Sequence, residues 1–228
     1  MKKVLIAVLS FCMIFVLIGC NRNKVKDYKL TDNVTFNQTH FYRGGNEKFV
    51  VEISIGSKEA VFVADGRIDK VEPFSEISIY ELTANSDDNV YAFRITSGET
   101  VINGETEKNI FTGAHVADSD LSSVKDGITA IEISSGAGSA AETVVLIDIL
   151  AEAISWNDAL NVAADEFKDR INAEKVDGIL PREIYVKYVR DSRDPESPYY
   201  WYVSFVGVEN NIWAVLLDPV NGAVLTKK

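Results

Sequence analysis

The sequence predicts a mainly β fold with an α+β end: an N-terminal antiparallel β domain followed by a helix-on-antiparallel-sheet module. Two observations carry this. Between residues 34 and 149 apolar side chains recur with period two and are interrupted at short intervals by turn-forming stretches, the pattern of half-buried strands in a sandwich or barrel. From Ser155 the apolar residues take helical spacing, and after Pro181 they return to period two.

The alternation is clearest at Phe49, Val51, Ile53 and Ile55, and again at Tyr91, Phe93 and Ile95. Further strands are predicted at 34–41, 59–64, 76–82, 128–134 and 143–149. Gly44-Gly45, Ala64-Asp65-Gly66, residues 85–89, Asn103-Gly104 and the loop 136–141 supply the turns. Residues 143–153 read two ways, since their β-branched start favours a strand while 150–153 fits the beginning of a helix. Ser155 and Asp158 form a capping-box pattern that opens a helix with Leu160, Ala163, Ala164, Phe167 and Ile171 on one face. Gly178 and Pro181 stop it. Strands at 184–189, 199–206, 212–217 and 223–226 complete the chain.

The first residues give an address. Lys2 and Lys3 precede an apolar run over 4–18, too short for the roughly 20 residues of a spanning helix and laid out as a signal peptide. The run ends Leu17-Ile18-Gly19-Cys20, which resembles the bacterial lipobox; the resemblance implies cleavage before Cys20 and acylation of its thiol. Cys12, the other cysteine, lies in the segment to be removed, so the mature chain has no internal disulfide. Arg22, Lys24, Lys26 and Lys29 follow with only Asp27 opposing, a bias suited to an anionic bilayer at about 1 kcal/mol per base. Beyond residue 29 the chain carries 17 basic and 33 acidic residues, within a whole-chain net charge of −11. That sign argues against nucleic acid. The expected organisation is a lipoprotein signal peptide at 1–19, a lipid-anchored tether at 20–33, an antiparallel β domain at 34–150 and an α+β domain at 151–228. The expected location is the extracytoplasmic face of the cell membrane, with the lipid on Cys20 as the membrane contact.

Three stretches of the last domain carry a resemblance: residues 154–163 (Ile-Ser-Trp-Asn-Asp-Ala-Leu-Asn-Val-Ala), residues 200–205 (Tyr-Trp-Tyr-Val-Ser-Phe) and residues 215–225, with Asp218, Gly222, Val224 and Leu225 in a closing hairpin. Together they resemble the PepSY-type domain over about residues 154–228. The resemblance implies a small helix-on-sheet module of extracytoplasmic proteins, proposed to bind or restrain peptidases, with no catalytic residues to carry over. The stretch 191–198 departs from short members of the family.

No catalytic, metal or cofactor site is expected. The two histidines, His40 and His115, stand in no nucleophile signature, and structural zinc usually needs four nitrogen or sulfur ligands. The acidic stretches at Asp87-Asp88, Asp118–Asp120 and Asp191, Asp194 and Glu196 lack the order of a calcium loop. The sequons at Asn33 and Asn37 mean nothing in a bacterial lipoprotein.

The strongest surface clue is the hairpin near residue 210. A two-residue loop over 209–210 or 210–211 puts Trp201, Val203, Phe205, Ile212, Ala214 and Leu216 on one face, under the helix. The other face then bears Tyr200, Tyr202, Ser204, Val206, Trp213, Val215 and Leu217, too apolar to stay in water. Its cover is either the β domain, a second copy, or a protein or peptide partner. The function expected is therefore binding rather than catalysis, by a protein- or peptide-binding accessory factor; that it restrains a peptidase is what the PepSY resemblance implies. A small-ligand or glycan-binding lipoprotein and an enzyme with an unreadable site in the β domain are the alternatives.

Overall fold

The computed structural model of the protein describes residues 28–60, 68, 70–82, 90–122, 124, 127–135, 139–191 and 197–228. The expected signal peptide and the lipobox-like stretch with Cys20, the turns expected at 64–66 and 85–89, and the acidic residues Asp87, Asp88, Asp194 and Glu196 lie outside the described residues.

The fold is mainly β with two short helices. The strands are β1 (Val34–Gly45), β2 (Phe49–Glu59), β3 (Val71–Glu81), β4 (Ala92–Ser97), β5 (Thr100–Glu105), β6 (Glu107–Lys108), β7 (His115–Asp118), β8 (Ala130–Ser134), β9 (Glu142–Val145) and β10 (Ile147–Asp148). Helices α1 (Trp156–Glu166) and α2 (Lys168–Glu174) precede β11 (Glu183–Val189), β12 (Tyr200–Val206), β13 (Ile212–Leu217) and β14 (Val224–Lys227). One large sheet runs β14-β13-β12-β11-β1-β2-β3-β7-β6, with β10 also against β1, and a small sheet runs β5-β4-β8-β9.

The two sheets enclose one core. Phe49, Val51, Ile53, Ile77 and Ile79 of the large sheet meet Tyr91, Phe93, Ile95, Ile131, Ile133 and Val144 of the small one. The period-two residues read from the sequence are thus the inward faces of a sandwich. A second core lies under α1. Leu160, Ala163, Phe167 and Ile171 pack on Ile184, Val186, Trp201, Val203, Phe205, Trp213, Val215 and Leu217. Ser155 caps the helix, its Oγ accepting the Asp158 N–H at 3.1 Å.

Strand β1 serves both cores. It pairs with β2 antiparallel and with β11 parallel, the one parallel contact among the described strands, so a single sheet runs through both halves of the chain. A bulge between Gln38 and His40 shifts the register, and beyond it Phe41 enters the helix-side core while its neighbour Tyr42 enters the sandwich. Glu52 fastens the same seam: it accepts a hydrogen bond from the Tyr199 hydroxyl at 2.8 Å and lies 3.7 Å from Arg43 Nε and 3.5 Å from Arg190 Nη2. Burial, then the Glu52 charge, push the Tyr199 hydroxyl far above its ordinary range. The sequon asparagines Asn33 and Asn37 are buried here too; Asn33 Nδ2 donates to the carbonyls of Leu180 at 2.6 Å and Arg182 at 2.8 Å.

Several expectations are corrected. Asn103-Gly104 is no turn but the interior of β5, where Gly104 faces the Phe93 ring and a Cβ would come within 2.5 Å of it. The turn falls earlier, at Gly98, whose φ of 56° suits glycine. Residue 59 ends β2 instead of opening a new strand, because β2 and β3 form one long hairpin whose ladder closes at Glu59 and Val71. The ambiguous segment resolves into β9, β10 and a turn over 149–152. The single predicted helix is broken at Phe167, whose ψ of 14° leaves the helical range.

Candidate binding face

The face opposite α1 is set by the β12–β13 register. Val206 pairs with Ile212, Phe205 with Trp213, Ser204 with Ala214, Val203 with Val215 and Tyr202 with Leu216. The loop between the last paired strand residues is 207–211, an odd number, because a 3-10 turn at Val208–Asn210 holds Glu209 in the left-handed region at φ 59°. An odd loop reverses the face parity that a two-residue loop imposes. Trp213, Val215 and Leu217, expected on the open face, therefore sit under α1 and are 6%, 1% and 0% exposed. Ile212, Ala214 and Leu216 take their places. Tyr200, Tyr202 and Val206 remain on the open side, each half-buried.

Arg182 locks this arrangement. Its guanidinium lies over the Trp213 ring, donates to the Asn211 carbonyl at 2.8 Å and to the Phe205 carbonyl at 3.3 Å, and forks onto Glu174 at 2.6 and 2.8 Å. The hydrogen bond from Arg182 holds the Glu174 carboxyl below the usual range.

The open face combines rings and lysines. Tyr202, Ile212, Ala214 and Leu216 floor a groove of about 230 Å³ rimmed by Thr226, Lys227 and Lys228 of the edge strand. Across the sheet, Lys187 Nζ lies 5.3 Å from the centre of the Phe36 ring and 5.2 Å from that of Tyr185. Burial pushes this ammonium below its ordinary value. Phe36 meets Phe74 edge-on at 5.0 Å, and Lys58 Nζ lies 5.5 Å over the Phe74 ring. Beside Phe74 a recess of about 360 Å³ opens between Lys58, Glu72, Asp118 and Asp120. Glu76, in register with Asp118, has its carboxyl pushed up by burial and then by that neighbouring charge. Sequence reading missed Phe36, Phe74 and Lys187 as members of this face. Lys187 is in register with Tyr202 of β12, and the parallel β1–β11 pairing brings Phe36, and Phe74 beyond it, to the same face.

A third recess, of about 470 Å³, lies on the small sheet, where Arg94 is in register with Asn103 and Glu132. His40 Nδ1 and Asp148 Oδ2 are 2.7 Å apart at the start of β10's pairing with β1. His115 is buried edge-on to Tyr91 at 4.6 Å. Among the described residues no group of three or more His, Cys, Asp or Glu side chains is placed to hold a metal ion. Nor is any described helix long and apolar enough to cross a membrane. No family model, curated protein or solved structure matches this chain.

Proposed function

We propose that the protein is a membrane-anchored extracytoplasmic lipoprotein that binds a protein or peptide through the open face of its PepSY-like C-terminal sheet, acting as an accessory factor that restrains a peptidase. The observation that carries this reading is the half-buried apolar set Tyr202, Val206, Ile212 and Leu216, with the described helices packed on the opposite face. Aromatic and aliphatic side chains on a rigid sheet are pre-ordered for burial, so a partner loses little of its binding energy to ordering them. The groove is smaller than the roughly 300–1,000 Å³ of small-molecule pockets, which favours an extended or flat partner over a compact ligand.

The wider recess around Arg94 supports a second reading, small-ligand or glycan binding on the other sheet. Photo-crosslinking in intact cells separates them. A benzophenone side chain at Tyr202 is expected to give a discrete protein or peptide adduct that Leu216→Lys abolishes, with the melting temperature kept within a few degrees. Adducts from a probe at Arg94 and none from Tyr202 would overturn the first reading in favour of the second.

A further inference from the structure

Among the described residues, the basic side chains drawn at least partly out of water are Arg43, Lys58, Arg182, Lys187 and Arg190. Arg43 and Arg190 share Glu52, at 3.7 and 3.5 Å, and Arg182 forks onto Glu174. Lys58 is in register with Glu72 and its charge reaches Glu76. Of this set, Lys187 alone has no carboxylate beside it among the described residues. Its Nζ is held by two rings, 5.3 Å from the centre of Phe36 and 5.2 Å from that of Tyr185, and burial by itself pushes it below its ordinary value. Glu183, the acid on the same face of β11, is buried and accepts the Tyr185 hydroxyl at 3.0 Å. A ring face attracts an ammonium more weakly than a carboxylate does, so part of the hydration that Lys187 loses goes uncompensated.

The position of this cation gives it a use. Lys187 is in register with Tyr202 on β12, Tyr202 with Leu216 on β13, and Leu216 with Thr226 on β14. Two strand spacings of about 4.8 Å put Leu216 roughly 10 Å from Lys187 across the sheet. Tyr202 and Leu216 floor the groove of about 230 Å³, so a single row of side chains joins an apolar slot to an ammonium that lacks a counter-ion. The rim lysine Lys227 is already engaged, donating to Glu166 at 2.8 Å.

We propose that Lys187 is the charged anchor of the open face: it takes an Asp or Glu side chain of an extended peptide segment whose apolar side chain, roughly two to four residues away at about 3.3 Å per residue, fills the groove over Tyr202 and Leu216. This rests on the reading of that face as a protein or peptide site, and names the chemistry of the partner. The recess beside Phe74 does not compete for the acid, because Glu72, Asp118 and Asp120 line it. The chain's net charge of −11 opposes an acidic partner at long range, but salt screens that repulsion beyond about 10 Å, and at contact the nearest charge decides.

The test selects phage-displayed random dodecapeptides on the purified full chain in detergent and then measures synthetic copies of the enriched peptides. Enriched sequences are expected to carry Asp or Glu at that spacing from an aromatic or aliphatic residue. Replacing the peptide's acid by its amide is expected to weaken binding to the wild type about tenfold and to change binding to Lys187→Met little, the pair being isolated by the cycle of the two changes. Lys187→Met is expected to melt no earlier than the wild type, since it removes a desolvated charge, and the amide substitution reads the contact in the unaltered protein. Peptides that Leu216→Lys releases but that bind Lys187→Met as tightly as wild type, or that show no preference for acids, overturn the anchor and leave the open-face reading standing. Enriched peptides indifferent to Leu216→Lys, or a wild-type dimer that Leu216→Lys splits, overturn both. No enriched peptide at all overturns the anchor, with the Tyr202 photo-crosslink deciding the open face separately.

Discussion

The guanidinium carbon of Arg182 lies 3.5 Å from the centre of the Trp213 ring, and both groups are buried. This contact fixes which face of β13 turns toward the helix. Arg182→Ala removes one of the two donors to the Asn211 carbonyl, the side-chain donor to the Phe205 carbonyl and the partner of Glu174, and is expected to cost about 1–3 kcal/mol in urea unfolding. Trp213→Glu places a charge in the same core and is expected to cost several kcal/mol. A Trp213→Glu protein as stable as wild type would return Trp213 to the open face.

Strand β1 belongs to the helix-side core as much as to the sandwich. Phe41→Ala is expected to destabilise the chain by about 3–5 kcal/mol, as is Phe167→Ala between α1 and α2, since both rings are nearly fully buried. If Phe41→Ala costs under 1 kcal/mol while Phe167→Ala costs the full amount, residues 151–228 stand without β1.

Gly44 lies where β1 passes under β9, and a Cβ there would come 1.8 Å from the Val145 carbonyl oxygen. Gly44→Ala must separate backbone from backbone, at the upper end of or above the usual overpacking cost of about 1–3 kcal/mol. Denaturant midpoints compared with Gly113→Ala, which has open space but carries the left-handed strain of a φ of 73°, are expected to show the larger loss at Gly44.

Two carboxyls move stability in opposite directions with pH. Glu174 is held below its ordinary value of 4.5 by Arg182, so its stabilisation is complete above that value and is lost as pH falls through the lower folded one. Its side chain is 38% exposed, which screens and shrinks the effect. Glu76 is raised by burial and Asp118, so its charged form costs stability at neutral pH and the cost is relieved as pH falls through the raised value. Glu76→Gln is expected to raise the melting temperature at pH 7 and to leave it unchanged at pH 3. Glu174→Gln is expected to lower it at pH 7 and to flatten the loss on acidification.

Local chemistry determined part of this molecule from sequence alone. The Ser155 cap, the helical face of Leu160, Ala163, Phe167 and Ile171, and the inward rows at Val51 and Ile53 or Phe93 and Ile95 are written in residue type and spacing, because capping and face burial act within a few residues. Strands β5, β6 and β7 were not legible, since they are short and break the apolar alternation, with Val101 outward on β5 and His115 inward on β7, and the pairing of β5 with β4, and of β7 with β3, supplies what their own apolar content does not. The candidate face was half legible. Tyr202 and Val206 were placed correctly, while Trp213, Val215 and Leu217 were placed on the wrong side. A single turn residue, Glu209 in the left-handed region, makes the loop odd, and a strand's period of two turns one residue into a change of face. The union of Phe36, Lys187 and Tyr202 was decided only by tertiary structure, because β1 and β11 meet across about 150 residues of chain, a pairing that no local pattern encodes.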